Sequence, residues 1–95
     1  MSDVNRVNFS DASIASLSGS SQTLLSGDTS RSYVLIQNTG NANIGLNLTG
    51  GTAAILGLGT MTLATGAIWI ADTVVPINTI KVIGTAGQPV LCVVG

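Results

Sequence analysis

The chain is 95 residues long, carries three basic and four acidic side chains for a net charge of −1, and contains no histidine and a single cysteine. That length makes one domain, and three scattered basic residues cannot neutralise a run of phosphates, which argues against nucleic acid as a partner. Only 7% of the residues are charged, against about 25% in a typical soluble domain, so a neutral, partly apolar surface covered by other protein is expected, and with it an oligomer.

All ten serines and five of the seven charges fall within the first 32 residues. Residues 1–20 read as an N-terminal arm, too short for a core of its own, and 21–95 as the folded domain. Val4, Val7, Phe9, Ile14 and Leu17 recur along the arm at mixed spacings and suit docking onto a neighbouring subunit. Asp11 to Leu17 is either one helical turn capped by Asp11 or an extended strand; the spacing does not choose. The start, Met1-Ser2-Asp3-Val4-Asn5-Arg6, is polar and lacks the apolar stretch of a secretion signal. No apolar run approaches the ~18 residues of a membrane-spanning helix, and no membrane is expected.

From Ser21 onward short strands alternate with turns. Gln22 to Leu25 is a strand, and Ser26-Gly27-Asp28-Thr29-Ser30 is dense in turn chemistry. Arg31 to Gln37 follows, with the apolar run Tyr33-Val34-Leu35-Ile36 expected to be a central strand buried on both faces. Asn38-Thr39-Gly40-Asn41 reads as a hairpin turn into Asn43–Thr49, where Ile44, Leu46 and Leu48 alternate with polar or small residues. Ala53–Leu58 and Met61–Leu63 are weak strands, and Ala67–Ile70 is another short one. Val74–Ile77 is an edge or crossing segment because Pro76 cannot donate to a central ladder. Ile80–Ile83 and Pro89–Val94 complete the series. Short strands with turn signals about every 8–12 residues, and no helical period, predict an all-β fold. The expected form is a single antiparallel β-sandwich, jelly-roll-like, of about seven or eight strands.

Chemistry is sparse. Without histidine or glutamate no nucleophile–base pair assembles in the usual way, so no catalytic residue and no cofactor is expected. Asp3, Asp11, Asp28 and Asp72 lack the spacing of a cation loop, so no metal is expected either. Gly57-Leu58-Gly59-Thr60 resembles a phosphate loop only superficially, having no lysine and no following helix. Cys92, within Val90-Leu91-Cys92-Val93-Val94, reads as a buried, inert thiol. Trp69 points away from Ile68 and Ile70, as a core residue or as an anchor at a subunit contact. Asp28 and Arg31 can pair across the turn, a contact worth roughly 0–1 kcal/mol if exposed.

Arg31 to Gly40, Ile44, Leu63-Ala64-Thr65-Gly66, Val75-Pro76-Ile77 and Ile83-Gly84-Thr85-Ala86-Gly87-Gln88-Pro89-Val90 together resemble a small β-sandwich module of tailed-bacteriophage structural proteins. These include capsid decoration (cement) proteins and fibre or tail-associated modules. The resemblance covers about residues 21–95. Members often carry two basic residues before the aromatic and an acidic residue before the last glycine, where this chain has Ser32 and Val94. It implies a non-enzymatic homotrimer bound to the outer capsid surface, bridging subunits of the major capsid protein, made in the host bacterial cytoplasm. The residues expected to meet partners are Arg6, Val7, Phe9, Ile14 and Leu17 on the arm, with Arg31 and Trp69. The alternative is an adhesive module at a fibre tip that recognises a host surface glycan; a small hydrolase or ligand-binding domain ranks behind both.

Overall fold

A computed structural model describes residues 8–95. Its eight strands are β1 (Ser10–Asp11), β2 (Gln22–Leu25), β3 (Val34–Gln37), β4 (Ile44–Asn47), β5 (Thr60–Leu63), β6 (Ile68–Ala71), β7 (Ile80–Ile83) and β8 (Leu91–Val94). They form two four-stranded sheets in the orders β1-β8-β3-β6 and β2-β7-β4-β5. Pairing is nested and antiparallel throughout: β4 with β5, β3 with β6, β2 with β7, β1 with β8. One long hairpin rolled into two layers gives this order, the jelly-roll topology. The expected all-β sandwich is the observed fold.

Alternation builds the core. Val34 and Ile36 on β3 and Cys92 on β8 turn inward and are fully buried, as side chains two apart on a strand share a face. Ile44, Leu46, Ile80 and Val82 meet them from the second sheet. A register shift between Thr23 and Leu25 bulges β2 against β7, and Leu24 and Leu25 are both buried there.

Four expectations change. β3 is an interior strand, but Leu35 and Gln37 are only half-buried, so one face packs the core and the other looks outward. Asn38–Asn41 is not a hairpin turn, because β3 and β4 lie in different sheets. The Asn38 side chain sets that crossing: its Nδ2 donates to the carbonyls of Ala42 (2.7 Å) and Leu63 (2.9 Å), and its Oδ1 accepts from the Gly40 amide. Ala53–Leu58 forms a loop rather than a strand, whereas Val74–Ile77, expected as an edge or crossing segment, lies in the loop that crosses from β6 in one sheet to β7 in the other. The first is shaped by Asn47, whose Oδ1 accepts from the Thr49 amide and hydroxyl and whose Nδ2 donates to the Thr52 carbonyl.

The fourth concerns the boundary near residue 20, which is no break in the packing. β1 pairs with β8, and Ile14 bridges Val90. The Leu17 amide donates to the Gln88 carbonyl, and its side chain is 2% exposed within the core. A methyl group on Gly84 would come within 2.7 Å of Leu17 Cδ1, so the missing side chain at Gly84 is what lets Leu17 seat. The helix-or-strand ambiguity of Asp11–Leu17 resolves against a helix: β1 ends at Asp11, and beyond it the chain follows the C-terminal segment through the Ile14–Val90 bridge.

Because successive strands alternate in direction, the long connections 26–33, 48–59 and 72–79 gather at one end of the sandwich, and the turns 38–43, 64–67 and 84–90 at the other.

Candidate interaction surface

The outer side of the β1-β8-β3-β6 sheet is apolar. Leu35 lies between Ile70 and Val93, and Gln37 between Ile68 and Leu91. All five apolar residues are out of phase with the buried Val34, Ile36 and Cys92, and Ile68 and Ile70 are about half exposed, at 54% and 50%. Tyr33 prolongs the row, its amide and carbonyl paired with Gly95 beyond β8. Phe9 packs on Tyr33 edge-to-face at 5.1 Å between ring centroids, a favoured aromatic geometry, and is itself 61% exposed. Asp11, opposite Val93, is a charge at the margin of this face. Its Oδ1 accepts from the Ser13 amide, and these Ser13 contacts hold the carboxyl below its ordinary range.

A second apolar feature projects from the β4–β5 loop. Ile55, Leu56 and Leu58 are exposed, Leu56 at 84% and Leu58 completely. Leu56 has φ of +57°, a left-handed conformation that bulky side chains rarely adopt. The turn is closed by the Gly57 amide donating to the Ala54 carbonyl and the Thr60 amide to the Gly57 carbonyl. The loop folds over the outer side of the second sheet, where Ile55 Cδ1 covers Gly45.

At the long-loop end a cleft of about 260 Å³ is lined by Asn8, Ser10, Asp28, Ser30 and Arg31 together with the apolar Leu25 and Val94. Its charged groups are already engaged. The Arg31 guanidinium donates to the carbonyls of Ser26 (2.6 Å), Pro76 (2.7 Å) and Asn78 (3.1 Å). Asp28 Oδ1 accepts from the Ser30 hydroxyl and amide. Those bonds are the main cause of its lowered pKa, with Arg31 a lesser one. Arg31 therefore ties the β2–β3 loop to the β6–β7 loop, instead of forming the simple Asp28 pair. Burial pushes the Cys92 thiol up to about 11, which keeps it protonated and unreactive at neutral pH. Among the described residues no three His, Cys, Asp or Glu side chains gather as a metal-ion cluster.

The expected contact residues separate accordingly. Arg6 and Val7 lie outside the described residues. Phe9 stands on the apolar face. Ile14 is half-buried against β8, Leu17 belongs to the core, and Arg31 is a buried loop tie. Trp69 faces Ile36 across the ladder and packs partly buried against the core, leaving Ile68 and Ile70 outside. Tyr33, Leu35, Leu91 and Val93, together with Ile55, Leu56 and Leu58, are surface residues that a search for arm anchors does not reach. Phase is the signal that finds the sheet residues: once Val34 and Ile36 point inward, Leu35 points out. Comparison with known proteins gave no significant match to any family model, curated protein or solved structure.

Proposed function

We propose that this chain is a capsid decoration protein of a tailed bacteriophage, a non-enzymatic homotrimer that binds the outer capsid surface and bridges major capsid subunits. The observation that carries the reading is the neutral apolar face of Phe9, Tyr33, Leu35, Ile68, Ile70 and Val93 on an almost uncharged domain. Exposed apolar patches on soluble proteins are often functional contact surfaces. The jelly-roll topology, a recurrent design of virion shell proteins, supports the same reading. In the mechanism each trimer adds a modest favourable contact energy to several shell subunits at once. Summed over a lattice, those contacts oppose the outward pressure of packaged genome. The protein is made in the bacterial cytoplasm and ends on the capsid exterior.

The test is cosedimentation with undecorated shells of the same phage, using the full chain and a variant lacking residues 2–7. A deletion through residue 20 is unsuitable, because it removes β1 and Leu17 from the fold. Saturable binding that raises the temperature of shell disruption is expected. A protein that stays in the supernatant at every ratio ends the decoration reading. The cleft at the long-loop end favours one other reading, an adhesive module in which a host glycan enters beside Asn8, Ser10 and Ser30. Glycan-array binding abolished by Ser30→Leu, with no shell binding, would select it.

A further inference from the structure

The geometry points to the open edge of β6 as the place where an extended segment of the shell protein adds a strand to this sheet. This rests on the decoration reading above and names the part of the fold that the shell engages.

Hydrogen-bond phase shows what that edge offers. The Tyr33 amide donates to the Gly95 carbonyl and the Gly95 amide to the Tyr33 carbonyl, so Tyr33 spends both backbone groups on the β8 side. Hydrogen-bonded positions alternate along an antiparallel strand. Leu35 and Gln37 therefore also bond β8, and Val34 and Ile36 bond their β6 partners Ala71 and Trp69. The Asn38 amide, bonded to the Ala67 carbonyl, keeps the same phase. On β6 the N–H and C=O of Ile68 and of Ile70 are left facing away from β3. Among the described residues, neither takes part in the backbone bonds made outside the ladders.

The other sheet edges, β1, β2 and β5, are each blunted. β1 is two residues long and ends in Asp11. β2 is bulged between Thr23 and Leu25. On β5 the Thr60 amide donates to the Gly57 carbonyl, and the Leu63 carbonyl accepts from Asn38 Nδ2. Shortness, charge, bulges and engaged backbone are the devices that keep sheet edges from pairing. β6 has none of them. Its residues, Ile68-Trp69-Ile70-Ala71, hold unbroken register with β3 and include no charge and no proline.

The occupant follows from these groups. Two donor–acceptor pairs roughly 7 Å apart on one strand match an extended backbone, the chemistry of strand-addition complexes. The added strand runs antiparallel, like every other pair in the sheet. Its outer side chains lie beside Ile68 and Ile70 and are apolar. Asp72, the one charge between residues 32 and 80, follows directly on β6 and is exposed, so the segment is basic at its N-terminal end. A second copy is a poor occupant, since so short a strand pair falls far below the ~800 Å² per partner of a stable dimer. On a shell the same small contact acts beside others and is repeated over the lattice.

The test compares wild type and Ile70→Pro for cosedimentation with undecorated shells. The Ile70 amide faces the open edge, so proline there removes an edge donor while sparing the ladder to β3. Binding about tenfold weaker is expected, with Ile70→Val, which keeps the amide, binding as wild type. Asp72→Lys is expected to weaken binding several-fold at low salt; wild-type binding by that variant overturns the basic end of the segment. Amide hydrogen exchange on the wild-type full chain reads the contact directly, whatever proline does to the fold. The Ile68 and Ile70 amides are expected to exchange about tenfold more slowly on shells than in the free protein. A shell-bound chain in which both exchange as fast as when free, or an Ile70→Pro chain that binds at full strength, overturns strand addition and leaves decoration standing. Protection of both amides before shells are added gives the edge to a second copy, which also overturns it. No binding of any chain to shells removes the decoration reading itself, and this partner with it.

Discussion

Arg31, Asn38 and Asn47 are buried polar residues, and each organises a loop rather than a reaction. Every one directs side-chain donors at backbone carbonyls that strand pairing leaves over, which is how irregular backbone can be buried without an unsatisfied group. Arg31 has the largest task, since its three carbonyl partners come from two loops. Arg31→Ala is expected to lower unfolding stability by about 2–3 kcal/mol, the scale of losing hydrogen bonds to a charged donor. Arg31→Lys should recover only part of this, because a point charge lacks the planar fork. Urea denaturation checks both. An alanine variant with a wild-type midpoint would make these contacts incidental.

At the level of the element, the N-terminal strand is the instructive case. Residues 10–17 lie along β8, and Leu17 fills the space that Gly84 leaves open. Leu17→Ala is expected to cost about 2–5 kcal/mol, as for other core leucines, read from the thermal or urea midpoint. A cost below 1 kcal/mol would mean that Leu17 is no part of the core. Strand identity was largely legible in the sequence: Ile44 and Leu46 alternate with Gly45 and Asn47, and Ile80 and Val82 with Lys81 and Ile83. Strand partners were not, because periodicity fixes which face is buried and says nothing of which strand lies alongside. Hence Asn38–Asn41 looks like a hairpin turn and is a crossing between sheets. Ala53–Leu58 misleads differently. Its apolar content suits a strand, but Asn47 holds the neighbouring backbone in a loop, so Ala53 is buried while Ile55, Leu56 and Leu58 stay outside. The surface was the least legible, since an outward Leu35 and an inward Ile36 differ only in phase.

For the whole molecule, titration sets the limits of stability. Asp11 and Asp28 have carboxyls held below their ordinary value by serine hydrogen bonds. Their contribution is present above the unfolded value near 3.8 and is lost as pH falls through the folded one. Cys92 behaves oppositely. Its thiol ionises near 9.0 when unfolded and at about 11 when folded. That contribution is present below pH 9 and is lost as pH rises toward 11. Thermal midpoints are therefore expected to be flat across neutral pH and to fall at both extremes, with Cys92→Ala flattening the alkaline fall. An unchanged alkaline fall in that variant would assign it to another group. Nested pairing also orders events in time. β4 and β5 are separated only by residues 48–59, whereas β1 and β8 stand at opposite ends of the described chain. Each pair that forms shortens the loop the next must close, so closure entropy favours zipping from the middle of the chain outward. The edge that carries Phe9 is then the last to be laid down. A nascent chain shows its β4–β5 loop early and its completed Phe9 edge only at the end.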